Sequence, residues 1–516
     1  MSGAPIVNKW LITLSVMLPT VMEIIDTSVA NVALPNIQGN LNAGTDEVSW
    51  VLTSYLVSNA IVLPMTGWLS KMFGRKRMLI SCMILFTLSS FLCGISPNIE
   101  TLILFRVIQG ASGGILIPNS QAILMETFPP NQQGMAMGIF GVGAMMGPII
   151  GPALGGWVTD NMSWRWIFYI NIPVGIIAVI MAKFFIFDPD YLKKKEGLSI
   201  DYWGLILLTS GLGSLQVVLD KGQREDWFSS SFIIAFSLIA LISLIMLIYV
   251  ELKHEHPIVN LRLFKDRTFA TGNYMMFMFG FCLYGSLMLI PLFLQTLMGY
   301  TATLSGFVLA PGGIATLLTM PIAGGMLEKH DGRWLIGIGL VLSAWSMFIM
   351  NGFNLETSYW IFVMPRILLG IGLGLIFVPI STIALAPISK KEMGDAAGIF
   401  NLQRNIGGGV GIAVAATLLE RFSQFYQTSL VQHITVFDTA ARMKFEFLKS
   451  GLVSRGVDAV TAEKGAIAIM YREVARQAAM LSYNHIFWIM GIVFLLVMPF
   501  LFLLRRTQTS GPANIH

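Results

Sequence analysis

"GWLSKMFGRKR" (residues 67–77) and "GMLEKHDGRWL" (residues 325–335) are two versions of one phrase, 258 residues apart. In each, glycine is followed two positions later by leucine, four later by lysine and seven later by Gly-Arg. "RVIQG" (106–110) returns as "RILLG" (366–370), and "GIFG" (138–141) returns as "GIFN" (398–401), both at an offset of 260. Three matches in one order at nearly one offset predict two parallel repeats with extra chain between them. Parallel repeats in a membrane place a binding site at the half–half interface near the midplane and suit alternating access by rocking.

The chain between these phrases says what the halves are made of. Of 516 residues, 55% are hydrophobic and 12% charged, against roughly 25% charged in soluble domains. Mean hydropathy is +0.71. Apolar runs near the ~20 residues of a bilayer span recur throughout. Fourteen helices are predicted: 10–34, 50–70, 78–96, 101–124, 134–158, 165–187, 202–220, 229–250, 269–297, 304–327, 333–352, 358–386, 395–418 and 484–504. This is the pattern of an all-α polytopic membrane protein, not the short alternating strands of a barrel. The organisation read from it is a six-helix bundle over 1–190, an inserted helix pair over 200–252 and a second six-helix bundle over 268–504. A long polar segment, 419–483, separates helices 13 and 14.

Lysine and arginine orient the chain, because they gather in cytoplasmic loops. With the N-terminus inside, the inner segments hold eighteen, including Lys9, Lys193, Lys194, Lys195, Arg505 and Arg506; the short outer loops hold Arg165, Lys221 and Arg224. Both termini are therefore expected in the cytoplasm, and the net charge of +5 reads as topology rather than nucleic-acid binding. The 419–483 segment falls on the outer side. Its stretch "AIAIMYREVARQAAML" (466–481) has the pattern of an amphipathic helix, and long ordered connections are more often functional than not.

Two carboxylates interrupt the first apolar run, in "MEIIDTSVANVALP" (22–35). Glu23 and Asp26 stand three residues apart, which puts both on one helix face and directs them to one cavity. Low dielectric disfavours the charged form, and a second acid nearby adds to that. Such a pair suits the exchange of a proton for a cation. Arg106, within the fourth run, is a buried cation that needs a partner. Tyr284, Gln295, Arg404 and Asn405 are further polar points in apolar runs. In "GVGAMMGPIIGPALGG" (141–156), Gly147, Gly151 and Gly155 repeat every four residues, giving a smooth face for close packing across the bundle interface; Pro148 and Pro152 permit bending. No nucleophile–base pair and no histidine–acid cluster stands out, so neither an enzyme nor a metal site is expected. His254 and His256 read as solvated loop residues. Cys82, Cys93 and Cys282 lie in apolar runs and read as core.

These motifs resemble the major facilitator superfamily. "GWLSKMFGRKR" looks like its loop between helices 2 and 3, with Gly67 and Gly74 for a tight turn and Arg75 reaching the opposing bundle. Lys71 stands where the family has an acid, a departure that puts the usual charge-pair latch in doubt. "LILFRVIQGASGG" (102–114) resembles the fourth-helix motif, with Arg106 and Gly110, and the 141–156 stretch, ending in Gly155 and Gly156, resembles the fifth-helix motif of proton-coupled antiporters. "DTSVANVALP" (26–35), which includes Asn31, "WRWIFYINIPVG" (164–175) and "LDKGQREDWF" (219–228) are similar to the fourteen-helix drug/proton antiporters of EmrB type. The resemblance implies a multi-pass inner-membrane antiporter that exports hydrophobic, often cationic drugs. It implies the proton gradient as the drive, with no cofactor. It also implies a periplasmic adaptor protein and an outer-membrane channel as partners. An exporter of a metabolite, lipid or siderophore with the same fold is the rival reading.

Overall fold

The computed structural model of the chain describes residues 8–188, 201–435 and 437–505. Lys193, Lys194, Lys195 and Arg506 lie outside them. Among the described residues there are helices and no strands, and fourteen helices are long and apolar enough to cross a membrane. With no water in a bilayer core, each span must satisfy its own backbone, which helices do.

The first half holds α1 (Lys9–Leu41), α2 (Thr45–Val62), α3 (Thr66–Phe73), α4 (Arg75–Gly94), α5 (Ile99–Gly113), α6 (Leu116–Thr127), α7 (Gln133–Asn161), α8 (Trp166–Tyr169) and α9 (Asn171–Phe185). Then come α10 (Tyr202–Lys221) and α11 (Ser231–Lys253). The second half holds α12 (Arg267–Thr296), α13 (Ala302–Met326), α14 (Gly332–Met350), α15 (Tyr359–Leu385), α16 (Met393–Gln432), α17 (Thr439–Val453) and α18 (Ala459–Leu496). The fourth predicted span is α5 and α6 joined end to end at Gly114, and the second is α2 continued by α3. The 419–483 segment is helical rather than irregular: α16 runs on to Gln432, α17 follows, and α18 begins at Ala459 and continues unbroken into the last span. Asp458 caps α18 by accepting from the backbone N–H groups of Val460 and Thr461 at 3.1 and 3.0 Å, as an acid at a helix N-terminus should.

The halves meet chiefly where α7 packs on α13, and where α3 and α6 pack on the start of α16. At the opposite end the inserted pair joins them. Asp220 of α10 accepts from Thr53 of α2, and Lys221 donates to Ser49 at 2.6 Å. On the other side, Gln223 donates to Glu420 and Trp227 Nε1 donates to Thr417 at 2.9 Å, both on α16.

Candidate functional site

Four helices of the first half converge on Asp26, which is 2% exposed. Arg106 and Gln109 lie one turn apart on α5 and so share a face. Arg106 Nη1 donates to Asp26 Oδ2 at 2.6 Å, and Gln109 Nε2 donates to Asp26 Oδ1 at 2.9 Å. Asn171, which opens α9, donates to the same Oδ1 at 2.6 Å and to Ser90 Oγ of α4 at 2.9 Å. Arg106 is further held by Gln109 Oε1 at 2.8 Å, by the Val51 carbonyl at 3.2 Å and by the Tyr55 ring, whose centroid is 4.1 Å away. A buried charge is tolerated only when paired and hydrogen-bonded, and here the pairing is nearly complete. Arg106 therefore turns inward and does not snorkel to an interface.

Glu23 sits one turn earlier and meets different partners. Its Oε1 accepts from Asn59 Nδ2 at 2.9 Å and from the Tyr55 hydroxyl at 3.4 Å, while its Oε2 is buried with no partner. Tyr55 thus touches both systems, with its ring under Arg106 and its hydroxyl on Glu23. Arg404, on α16 of the second half, is buried with its Nε unpartnered. The shared helix face holds, but Asp26 is directed to α5 and α9 and Glu23 to α2. The partners Gln109, Asn171, Asn59 and Tyr55 were not among the expected site residues. Asn31 and Gln295 are exposed, and Asn405 and Tyr284 are half-buried, with Tyr284 packed on Gly408. None of these four hydrogen-bonds to either acid. Chemically, a proton on Asp26 would cancel the charge that holds Arg106, and a cation or proton at Glu23 would compete for one free oxygen.

The 67–77 loop departs from expectation in an instructive way. Arg75 does not reach the opposing bundle; it makes a two-pronged pair with Glu126 of its own half, at 2.6 and 2.8 Å. The cross-half latch is made instead by Lys71, which pairs with Asp395 at the start of α16. The lysine thus reverses the usual polarity of the latch without removing it. Gly67 allows this approach, since a Cβ there would collide with Asp395, and Gly74 has φ +85°, a conformation that favours glycine. Deeper in the same interface Asn401 donates to Gln121 Oε1 at 2.6 Å.

The glycine face of α7 also differs. A Cβ at Gly147, Gly151 or Gly155 would strike Ile24, Ser28 or Val29, all on α1 of the same half. That stripe packs within the first bundle, not between bundles. The cross-half contact uses another face of α7: Gly134 approaches Gly324, and Gly138 approaches Met320, both on α13. Gly110 lies against the Tyr55 carbonyl, while Gly156 has open space around it. α7 is continuous through Pro148 and Pro152.

Comparison with known proteins agrees with this architecture. The Major Facilitator Superfamily model matches residues 16–412. The chain is 35% identical to the fatty acid resistance protein FarB of Neisseria gonorrhoeae, over 97% of each chain. It is 33% identical to the multidrug export protein EmrB of Escherichia coli (strain K12), over 99% of this chain and 98% of that one. Among solved structures, the proton:xylose symporter XylE superposes with a TM-score of 0.59 at 13% identity, covering 96% of this chain and 95% of the other. The two six-helix halves, the fourteen candidate spans and these relatives together make the chain a multi-pass inner-membrane protein that belongs to the major facilitator superfamily.

Proposed function

We infer that the protein is a proton-coupled antiporter that exports hydrophobic, often cationic drugs by alternating access. Support for export comes from the relatives named for multidrug export. The observation that carries the coupling is the acid pair: Asp26 bound by Arg106, Gln109 and Asn171, beside Glu23 with one bare buried oxygen. A proton and a cationic substrate compete for this pair, so occupancy by one releases the other. A one-for-one exchange of a proton for a monovalent cation moves no net charge, so the pH gradient drives it; the membrane potential adds about 2.3 kcal/mol per 100 mV only for each proton that enters in excess of the exported charge.

In this reading the Lys71–Asp395 end is cytoplasmic and closed, and loading from that side requires the pair to part. The α16–α18 protrusion lies outside and is the element that would meet a periplasmic adaptor, which in turn would lead to an outer-membrane channel. The relative named for fatty acid resistance favours a second, compatible substrate reading, export of amphiphilic acids.

The test is transport in proteoliposomes under an imposed pH gradient with ethidium as substrate. Wild type accumulates ethidium in proportion to the gradient, and Asp26→Asn stays at the level of empty vesicles. Full gradient-driven accumulation by Asp26→Asn would defeat the coupling.

A further inference from the structure

Arg366 is the second-half counterpart of Arg106 in the repeated phrases "RVIQG" and "RILLG". It lies seven residues into α15, as Arg106 lies seven residues into α5, so the two sit about 10 Å along their helices. Arg366 is 6% exposed, yet its Nε and Nη1 are buried with no hydrogen-bond partner. The residues that serve Arg106 have no equivalents. Gln109 becomes Leu369 at the offset of 260, and offsets of 258 to 260 set Tyr284, Gly285 and Ser286 opposite Asp26. Among the described residues no carboxylate pairs with Arg366.

The helix face shows where this cation points. Met364, two positions earlier, is 68% exposed, and two residues turn a helix by more than half a revolution. Phe377, eleven residues on and therefore about three turns along the same face, stacks on Phe140 of the first half at 6.4 Å. One turn in the other direction, Phe362 packs on Phe353 and Phe293 at 4.7 and 5.7 Å. Arg366 thus lies on the inward face of α15, with its backbone and Cβ close against Gly312 of α13, between an aromatic cluster and the half–half contact. A guanidinium is a planar donor fork that fits a carboxylate bidentately.

We propose that Arg366 is an anion subsite of the transport path, which takes the carboxylate of an amphiphilic acid while the tail lies on the neighbouring apolar side chains. The proposal rests on the exporter reading and gives its second substrate class, the amphiphilic acids, a binding residue: Glu23 and Asp26 receive cations, and Arg366 receives anions. An anionic lipid headgroup shares the chemistry, and the experiment separates the two.

The test is binding of dodecanoate and of dodecyltrimethylammonium to full-length protein in nanodiscs of zwitterionic lipid, read by calorimetry. A charge-assisted hydrogen bond of ordinary strength corresponds to about tenfold in affinity or more. Arg366→Gln is expected to lower the dodecanoate-to-cation affinity ratio by about tenfold or more, and Arg366→Lys to lower it less. Leu369→Glu, which supplies an internal carboxylate one turn away, is expected to suppress dodecanoate binding and leave the arginine in place. An unchanged ratio in Arg366→Gln, or no dodecanoate binding by wild type, overturns the subsite. So does displacement of dodecanoate by phosphatidylglycerol in a second set of nanodiscs, which would assign Arg366 to lipid. These outcomes are separable from failure of the exporter reading, which would show as absent ethidium transport whatever dodecanoate does.

Discussion

The two halves carry the same arginine at the same depth and treat it in opposite ways. In the first half Arg106 is bound by an acid, an amide, a backbone carbonyl and an aromatic ring. In the second half Arg366 has the burial and none of the partners. On the proposed reading, the difference divides labour between the halves of a duplicated bundle. Where the charge is compensated, it can be uncoupled and recoupled by a proton. Where it is uncompensated, it awaits a ligand that brings its own charge.

The largest expected effect breaks the comparison at the arginines themselves. Arg106→Gln leaves the Asp26 carboxylate buried without its counter-ion, a loss of about 3–5 kcal/mol. Arg366→Gln strands nothing and is expected to be neutral or stabilising, because it removes a desolvated charge. Thermal unfolding of the two variants side by side checks this, and equal destabilisation would mean that Arg366 has a structural partner after all.

An intermediate effect separates the two faces of α7. Gly147→Leu drives a side chain into Ile24 of α1 and should cost about 1–3 kcal/mol of stability through overpacking. Gly138→Leu strikes Met320 of α13 across the interface. It should leave the first bundle folded but hold the halves apart at that end, seen as faster labelling of a cysteine placed at Asn401. The reverse pattern would restore the glycine stripe to the bundle interface.

The smallest effect concerns the latch. The Lys71 side chain is 37% exposed, but its partner Asp395 is only 3% exposed, so Lys71→Gln leaves a buried carboxylate without its counter-ion in the closed form. The balance should shift from closed toward open by about tenfold, less than loss of a fully buried pair would cause, measured by the same labelling. Arg75→Gln should act instead on the stability of the first half, since its partner Glu126 belongs to that half.

Much of this was legible before any coordinates. Hydropathy and length gave fourteen spans, and the repeated phrases gave two halves. Asp26 and Arg106 stood out because a charge in an apolar run demands a reason. Their partners did not stand out, because Gln109, Asn59 and Asn171 are uncharged and cost less to bury. The signal was present, since Gln109 lies three residues after Arg106 and Asn171 lies within "WRWIFYINIPVG". Recognising it requires knowing how α1, α5 and α9 are rotated against one another. The glycine stripe failed for a related reason. A four-residue period says that a face is smooth, but not which neighbour lies on it. Lys71 was read against an acid at the family position, and Asp395, at the start of α16, supplied the missing charge from the other side of the interface.

The most direct test of the central claim, that proton and cation exclude each other at the acid pair, is proton release from purified protein in weak buffer on adding tetraphenylphosphonium. Wild type should release protons in a saturable way that follows cation binding, and the double variant Glu23→Gln/Asp26→Asn should release none. Undiminished release from the double variant would contradict the account and move the coupling site elsewhere.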